Sequence, residues 1–116
     1  RARTLDVELA TARHELAMAR LQGRLGAALA ESLRSNYERS RQLMTDFFRE
    51  AQGRLPAVED PHQRQELQAM LAQRDELITL LARAEPESTQ RLMLLYTRFF
   101  TAFDPAGVRA STSVTP

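Results

Sequence analysis

The stretch TLDVELATARHELAMARLQGRLGAALAESLRSNYERSRQLMTDFFREAQ, residues 4–52, decides the fold. Apolar or small residues recur along it at gaps that alternate between four and three: Leu5, Leu9, Ala12, Leu16, Ala19, Gly23, Gly26, Ala30, Leu33, Tyr37, Met44, Phe47 and Ala51. That spacing is the seam of an amphipathic helix, and its mean near 3.5 residues is the coiled-coil period. Only Ser40 breaks the line. Leu21, Leu25 and Leu29 form a second line beside it, so the apolar face is wide, as on a bundle helix rather than a strict two-stranded zipper.

Two places on the stripe need a reason. Gly23 and Gly26 stand where large residues are expected, and each costs a helix about 1 kcal/mol relative to Ala. They mark either a bend or the close approach of a neighbouring helix or a second copy over bare backbone. Ser35-Asn36-Tyr37-Glu38 has the spacing of a capping box and predicts a new helix from Asn36. The stripe also stays in register across it, from Leu33 to Tyr37, so one unbroken helix of roughly 70 Å is the competing expectation.

Beyond the stripe, the punctuation is clear. Thr4, with Asp6 and Glu8 after it, reads as a helix start. Gly53 and Pro56 predict a stop after Gln52, with Leu55 and Val58 folding back onto the core. Asp60-Pro61 is an N-cap followed by proline at the first helical position. The helix it opens carries Leu67, Met70, Leu71, Leu77, Ile78, Leu81 and Ala84 on one face, interrupted by Arg74. Pro86 ends that helix, since the residue before a proline is pushed out of helical geometry. Pro86 or Ser88 opens a last one, with Leu92, Leu95, Tyr96, Phe99 and Phe103 in line and Met93, Leu94 and Phe100 widening the face. Asp104 to Gly107 closes it, and residues 108–116, rich in Ser and Thr, read as a coil or disordered tail.

The expected fold is all-α: an antiparallel bundle of three or four helices with a long amphipathic N-terminal helix, in one domain over residues 1–107. With the break at Ser35 the helices are 4–34, 36–52, 61–84 and 86–103. Without it, two shorter helices fold onto half of a long one, and the other half keeps an uncovered stripe that must find a partner.

Composition bounds the function. The net charge of +1 lacks the basic excess of a general nucleic-acid binder. Residues 1–54 hold 10 Arg against 7 acids (+3), and residues 55–116 hold 6 Arg against 8 acids (−2), too small an asymmetry to name a partner. All 16 basic residues are Arg, the signature of a GC-rich genome rather than of one site. With no Cys there is no disulfide, thiolate metal site or cysteine nucleophile. No apolar run approaches the roughly 20 residues of a membrane span. Because it opens on Arg1 rather than Met, the chain reads as a piece processed or excised from a longer one.

Few residues carry chemistry. His14-Glu15-Leu16 resembles the phospho-accepting dyad of histidine-kinase dimerisation hairpins, in which the acid assists attack of the imidazole on a phosphoryl group. The match spans three residues; the usual proline a few residues on is replaced by Met18 and Ala19, and no glycine-rich nucleotide segment follows. The two histidines, His14 and His62, stand far apart, and the Glu-x-x-His pattern of di-iron bundles is absent. Neither a metal, a cofactor nor enzymatic catalysis is expected. The interaction candidates are Leu16, Ala19, Gly23 and Gly26 on the stripe, with Phe48 and Phe100 as the outward members of two Phe-Phe pairs, since adjacent helical residues point about 100° apart. The expected function is a non-enzymatic helical protein–protein interaction module that binds another copy of itself or a different protein, without nucleic acid and without membrane insertion by this segment. The alternative is a ligand-sensing bundle of a bacterial membrane receptor, with an apolar pocket between helices.

Overall fold

The computed structural model describes residues 2–103, with side chains from Thr4 onward. The expected helix end at Asp104–Gly107 and the tail 108–116 lie outside the described residues. The chain is an all-α antiparallel helical bundle, with no strand among the described residues. Its described helices are α1 (Ala2–Leu33), α2 (Tyr37–Arg54), α3 (Pro61–Leu71), α4 (Arg74–Ala82) and α5 (Glu87–Phe103), with a 3-10 turn, Leu55–Ala57, after α2.

The break at Ser35 is used, but not as a capping box. Ser35 sits in left-handed geometry at φ 65°. Asn36 N donates to Glu31 O at 2.8 Å and Ser35 N to Ser32 O at 2.9 Å. These are the paired bonds of a Schellman motif, which satisfies the free carbonyls at the end of α1. Asn36 Nδ2 also donates to Glu31 Oε1 at 2.9 Å, so a polar contact replaces the usual apolar clasp. Glu38 does not reach back to the cap; it accepts from Arg41 and Gln42. The same motif ends α4: Ala84 has φ 54°, Glu85 N donates to Leu80 O, and Ala84 N donates to Leu81 O. Both left-handed positions hold residues with a Cβ, which that conformation disfavours. Ser35→Gly and Ala84→Gly are each expected to stabilise the fold by about 0.5–1 kcal/mol in urea unfolding.

Two sequence expectations give way here. Gly53 does not end α2, which runs through Arg54 and passes into the 3-10 turn with no glycine at positive φ. Pro56 accounts for the stop, because its ring prevents further α-helix. The expected helix 61–84 is two helices, broken at Ala72–Gln73. A continuous helix would have carried Arg74 to the core beside Met70 and Leu77. The break instead places it in the first turn of α4, exposed and paired with its neighbour Asp75 at 3.1 Å. The Asp60 cap forms as expected, accepting from Gln63 N at 2.9 Å.

The core lies among α2, α3, α4, α5 and the C-terminal half of α1. Phe47, Phe48, Phe99, Leu21, Leu25, Met44, Leu67, Leu77, Leu92 and Leu95 are buried in it. Ser40, the break in the stripe, is also buried, and its hydroxyl donates to Ala28 O at 2.8 Å where α1 meets α2. Leu55 and Val58 do fold back, Val58 fully. Gln63 Nε2 donates to Ala102 O at 3.0 Å, tying α3 to the last turn of α5.

Ion pairs clamp the helices from outside: Arg24–Glu50 joins α1 to α2, Arg91–Glu76 joins α5 to α4, and Arg98–Glu66 joins α5 to α3. The hydrogen bond from Arg98 holds the Glu66 carboxyl below its ordinary pKa against a smaller opposing effect of burial. A carboxyl depressed in the folded state contributes stability above its unfolded pKa of about 4.3, lost as pH falls through the folded value. The wild type is therefore expected to lose more stability than Glu66→Gln below about pH 4.3, read from thermal midpoints across pH 2.5–7 (about that window).

Candidate interaction surface

On α1, positions 14, 17, 18, 21, 25, 28 and 32 turn toward the bundle. Ala17, Met18, Leu21, Leu25, Ala28 and Ser32 are buried there, and His14 is half-buried. The stripe identified from sequence lies on the opposite side. Gly23 is two residues from Leu21 and so about 200° around the helix. Leu5, Leu9, Ala12, Leu16, Ala19, Gly23, Ala30 and Leu33 are all exposed. The line that the bundle buries is therefore a different one from the stripe read from the sequence. Two lines of heptad spacing run along α1, and the bundle took the one with the larger side chains. Met18, Leu21 and Leu25 remove more apolar area from water than Ala19, Gly23 and Gly26 can.

The first half of α1 has little cover at all. Residues 4–13 are exposed all round, and Leu5, Leu9 and Leu16 are 66%, 49% and 53% exposed. At 32 residues α1 is about 48 Å long, against 18 residues in α2. The N-terminal overhang accounts for the elongated envelope of 52 × 34 × 22 Å.

The glycines differ. A Cβ on Gly26 would stand 3.2 Å from Tyr96 Cε1, so this glycine admits the tyrosine ring from α5. A Cβ on Gly23 would meet nothing within 4 Å. Tyr96 against Gly26, and the Ser32–Thr89 hydroxyl hydrogen bond, fix α5 antiparallel to α1. Phe100, one turn beyond Tyr96, therefore lies level with Gly23 and is 43% exposed. Phe48 is not outward: it is 2% exposed and stands edge-on to Phe47 at 5.3 Å, because both of those adjacent positions on α2 are covered, one by α5 and the other by α4. Of the six candidates, Leu16, Ala19, Gly23, Gly26 and Phe100 share one side of the α1–α5 pair, and Phe48 belongs to the core. Met93 and Leu94, also exposed on α5, were not singled out, because the breadth of the apolar face concealed which of its members lie outside.

One feature had no signal in the sequence. A groove of about 560 Å³ separates the α1 overhang from the α2–α3 connection, with Val7, Arg13, His14, Arg54, Glu59 and Asp60 on its walls. His14 Nδ1 and Arg54 Nε are buried there without a protein hydrogen-bond partner. These residues are 40 positions apart, and only the fold brings them together. Among the described residues no three His, Asp or Glu side chains converge as a metal set. No described helix is long and apolar enough to cross a membrane. Comparison with protein-family models, curated proteins and solved structures returns no match to this chain.

Proposed function

We propose that the chain is a non-enzymatic protein–protein interaction module that works through the outer face of α1, with α2–α5 as the brace that holds this face outward. The observation that carries the reading is the exposure of Leu5, Leu9 and Leu16 along one line that the chain's own core does not cover. Single exposed leucines are ordinary, but several at helical spacing form a strip whose burial is favourable. The small residues Ala12, Ala19 and Gly23 on the same line let another helix approach closely.

A photoreactive side chain placed at position 9 or 16, in cells that make the protein, tests this. Covalent adducts from both positions and none from Gln68, an exposed site on α3, are expected. An absence of adducts from both stripe positions overturns the reading.

A second reading, a bundle that binds a small anion, is favoured by the unpartnered His14 Nδ1 and Arg54 Nε in the groove. It expects a small carboxylate or phosphate to raise the melting temperature, and Arg54→Ala to remove that shift. No shift with either anion class sinks it.

A further inference from the structure

We infer that the occupant of the α1 stripe is a second copy of this chain, paired in parallel and in register over Leu5–Gly23. This rests on the interaction reading above and adds its partner, direction and register.

Charge on the flanks of the stripe selects the direction of pairing. In the heptad frame of the stripe, Leu9, Leu16 and Gly23 fall at a, and Leu5, Ala12 and Ala19 at d. Over that stretch the g positions are Glu8, Glu15 and Gln22, and the e positions are Asp6, Arg13 and Arg20. In a parallel two-stranded coil, each g residue faces the e residue five positions on in the other strand. Glu8 then meets Arg13 of the second copy, and Glu15 meets Arg20. The twofold axis repeats each pair, giving four complementary contacts. The antiparallel arrangement over the same stretch sets g against g and e against e: Glu15 meets Glu15, Arg13 meets Arg13, Glu8 meets the uncharged Gln22 and Asp6 meets Arg20, so attraction and repulsion offset. A second copy laid parallel therefore gains a charge complementarity that one laid antiparallel lacks.

The placement of these side chains agrees. Glu8, Arg13, Glu15 and Arg20 are exposed, and among the described residues none of them is in an ion pair within the chain. The buried face of α1, Ala17 to Ser32, is turned away from the stripe, so pairing along the stripe leaves the bundle's own packing in place. The seam has a defined end at Gly26, which Tyr96 covers. About 19 residues of helix, roughly 28 Å, are left for pairing.

The test uses the full chain, which has no native cysteine. Sedimentation velocity is expected to resolve a dimer that dissociates on dilution. Ala12→Cys, at a d position, should form a disulfide with itself under mild oxidation, whereas Thr11→Cys, off the seam, should not. Glu8→Arg/Glu15→Arg and Arg13→Glu/Arg20→Glu should each weaken the dimer at least about tenfold, through like-charge contacts. An equimolar mixture of the two variants should recover it, because every g–e contact is again between opposite charges. All these positions are exposed, and circular dichroism checks that each variant keeps its helix content.

A wild type that stays monomeric at every concentration overturns self-pairing. So does a dimer in which Ala12→Cys fails to cross-link to itself, since that is the antiparallel result. Adducts from positions 9 and 16 to a different protein, with a monomeric wild type, would sink the inference and leave the interaction reading standing. No adducts at all would sink both.

Discussion

Leu21→Ala is expected to lower stability by about 2–5 kcal/mol, and Leu16→Ala by no more than about 0.5 kcal/mol, although the two leucines lie five residues apart on one helix. Leu21 is fully buried against the bundle, and its truncation leaves a cavity whose walls relax only in part. Leu16 is 53% exposed, on the far side of α1, and its truncation removes little that the folded monomer had buried. Urea unfolding at a concentration where the chain is monomeric measures the difference, with unchanged slopes showing that the same transition is followed. Equal losses would mean that Leu16 faces the core, and that the stripe is not free for a partner. The comparison therefore bears on the proposed function as well as on the packing.

The second large effect is at the centre of the aromatic cluster. Phe99 is fully buried, 5.9 Å from Phe47 with the rings at 69°, and 4.7 Å from Phe103 in a stacked arrangement. Phe99→Ala is expected to cost about 3–5 kcal/mol, from lost transfer energy and the cavity left between α2 and α5. A domain of this size has about 5–15 kcal/mol in total, so the variant should unfold at a midpoint lower by about 10 °C or more. The adjacent Phe100→Ala should change stability by only about 0.5 kcal/mol, since that ring projects beyond the core. Thermal melts of the pair decide whether the Phe-Phe sequence divides into an inner and an outer member on α5. On α2 it does not: Phe47 and Phe48 are both buried, and both substitutions there should be costly.

Helical class, the Asp60-Pro61 start and the α2 face through Met44, Phe47 and Ala51 were legible from residue type and spacing alone. Each depends on chemistry within one or two helical turns: a carboxylate accepting from a nearby N–H, a proline that lacks one, or an apolar period. The end of α1 at Ser35 was legible only as one of two outcomes. Its left-handed geometry is unusual for serine and is held by backbone hydrogen bonds over five residues, not by the capping pair that the sequence suggested. The break at Ala72–Gln73 has no glycine or proline to announce it. Arg74 was its only trace, a charged residue at a position that a continuous helix would have buried.

The candidate surface divides in the same way. Periodicity by itself determined that α1 carries an apolar stripe of heptad spacing. It did not determine which way that stripe points, because α1 bears two apolar lines and a helix has no preferred side until something packs against it. Only the tertiary structure decided that. Met18, Leu21 and Leu25 offered α2 and α5 the greater apolar volume, Tyr96 settled over the bare backbone of Gly26, and the lighter line from Leu5 to Gly23 was turned outward.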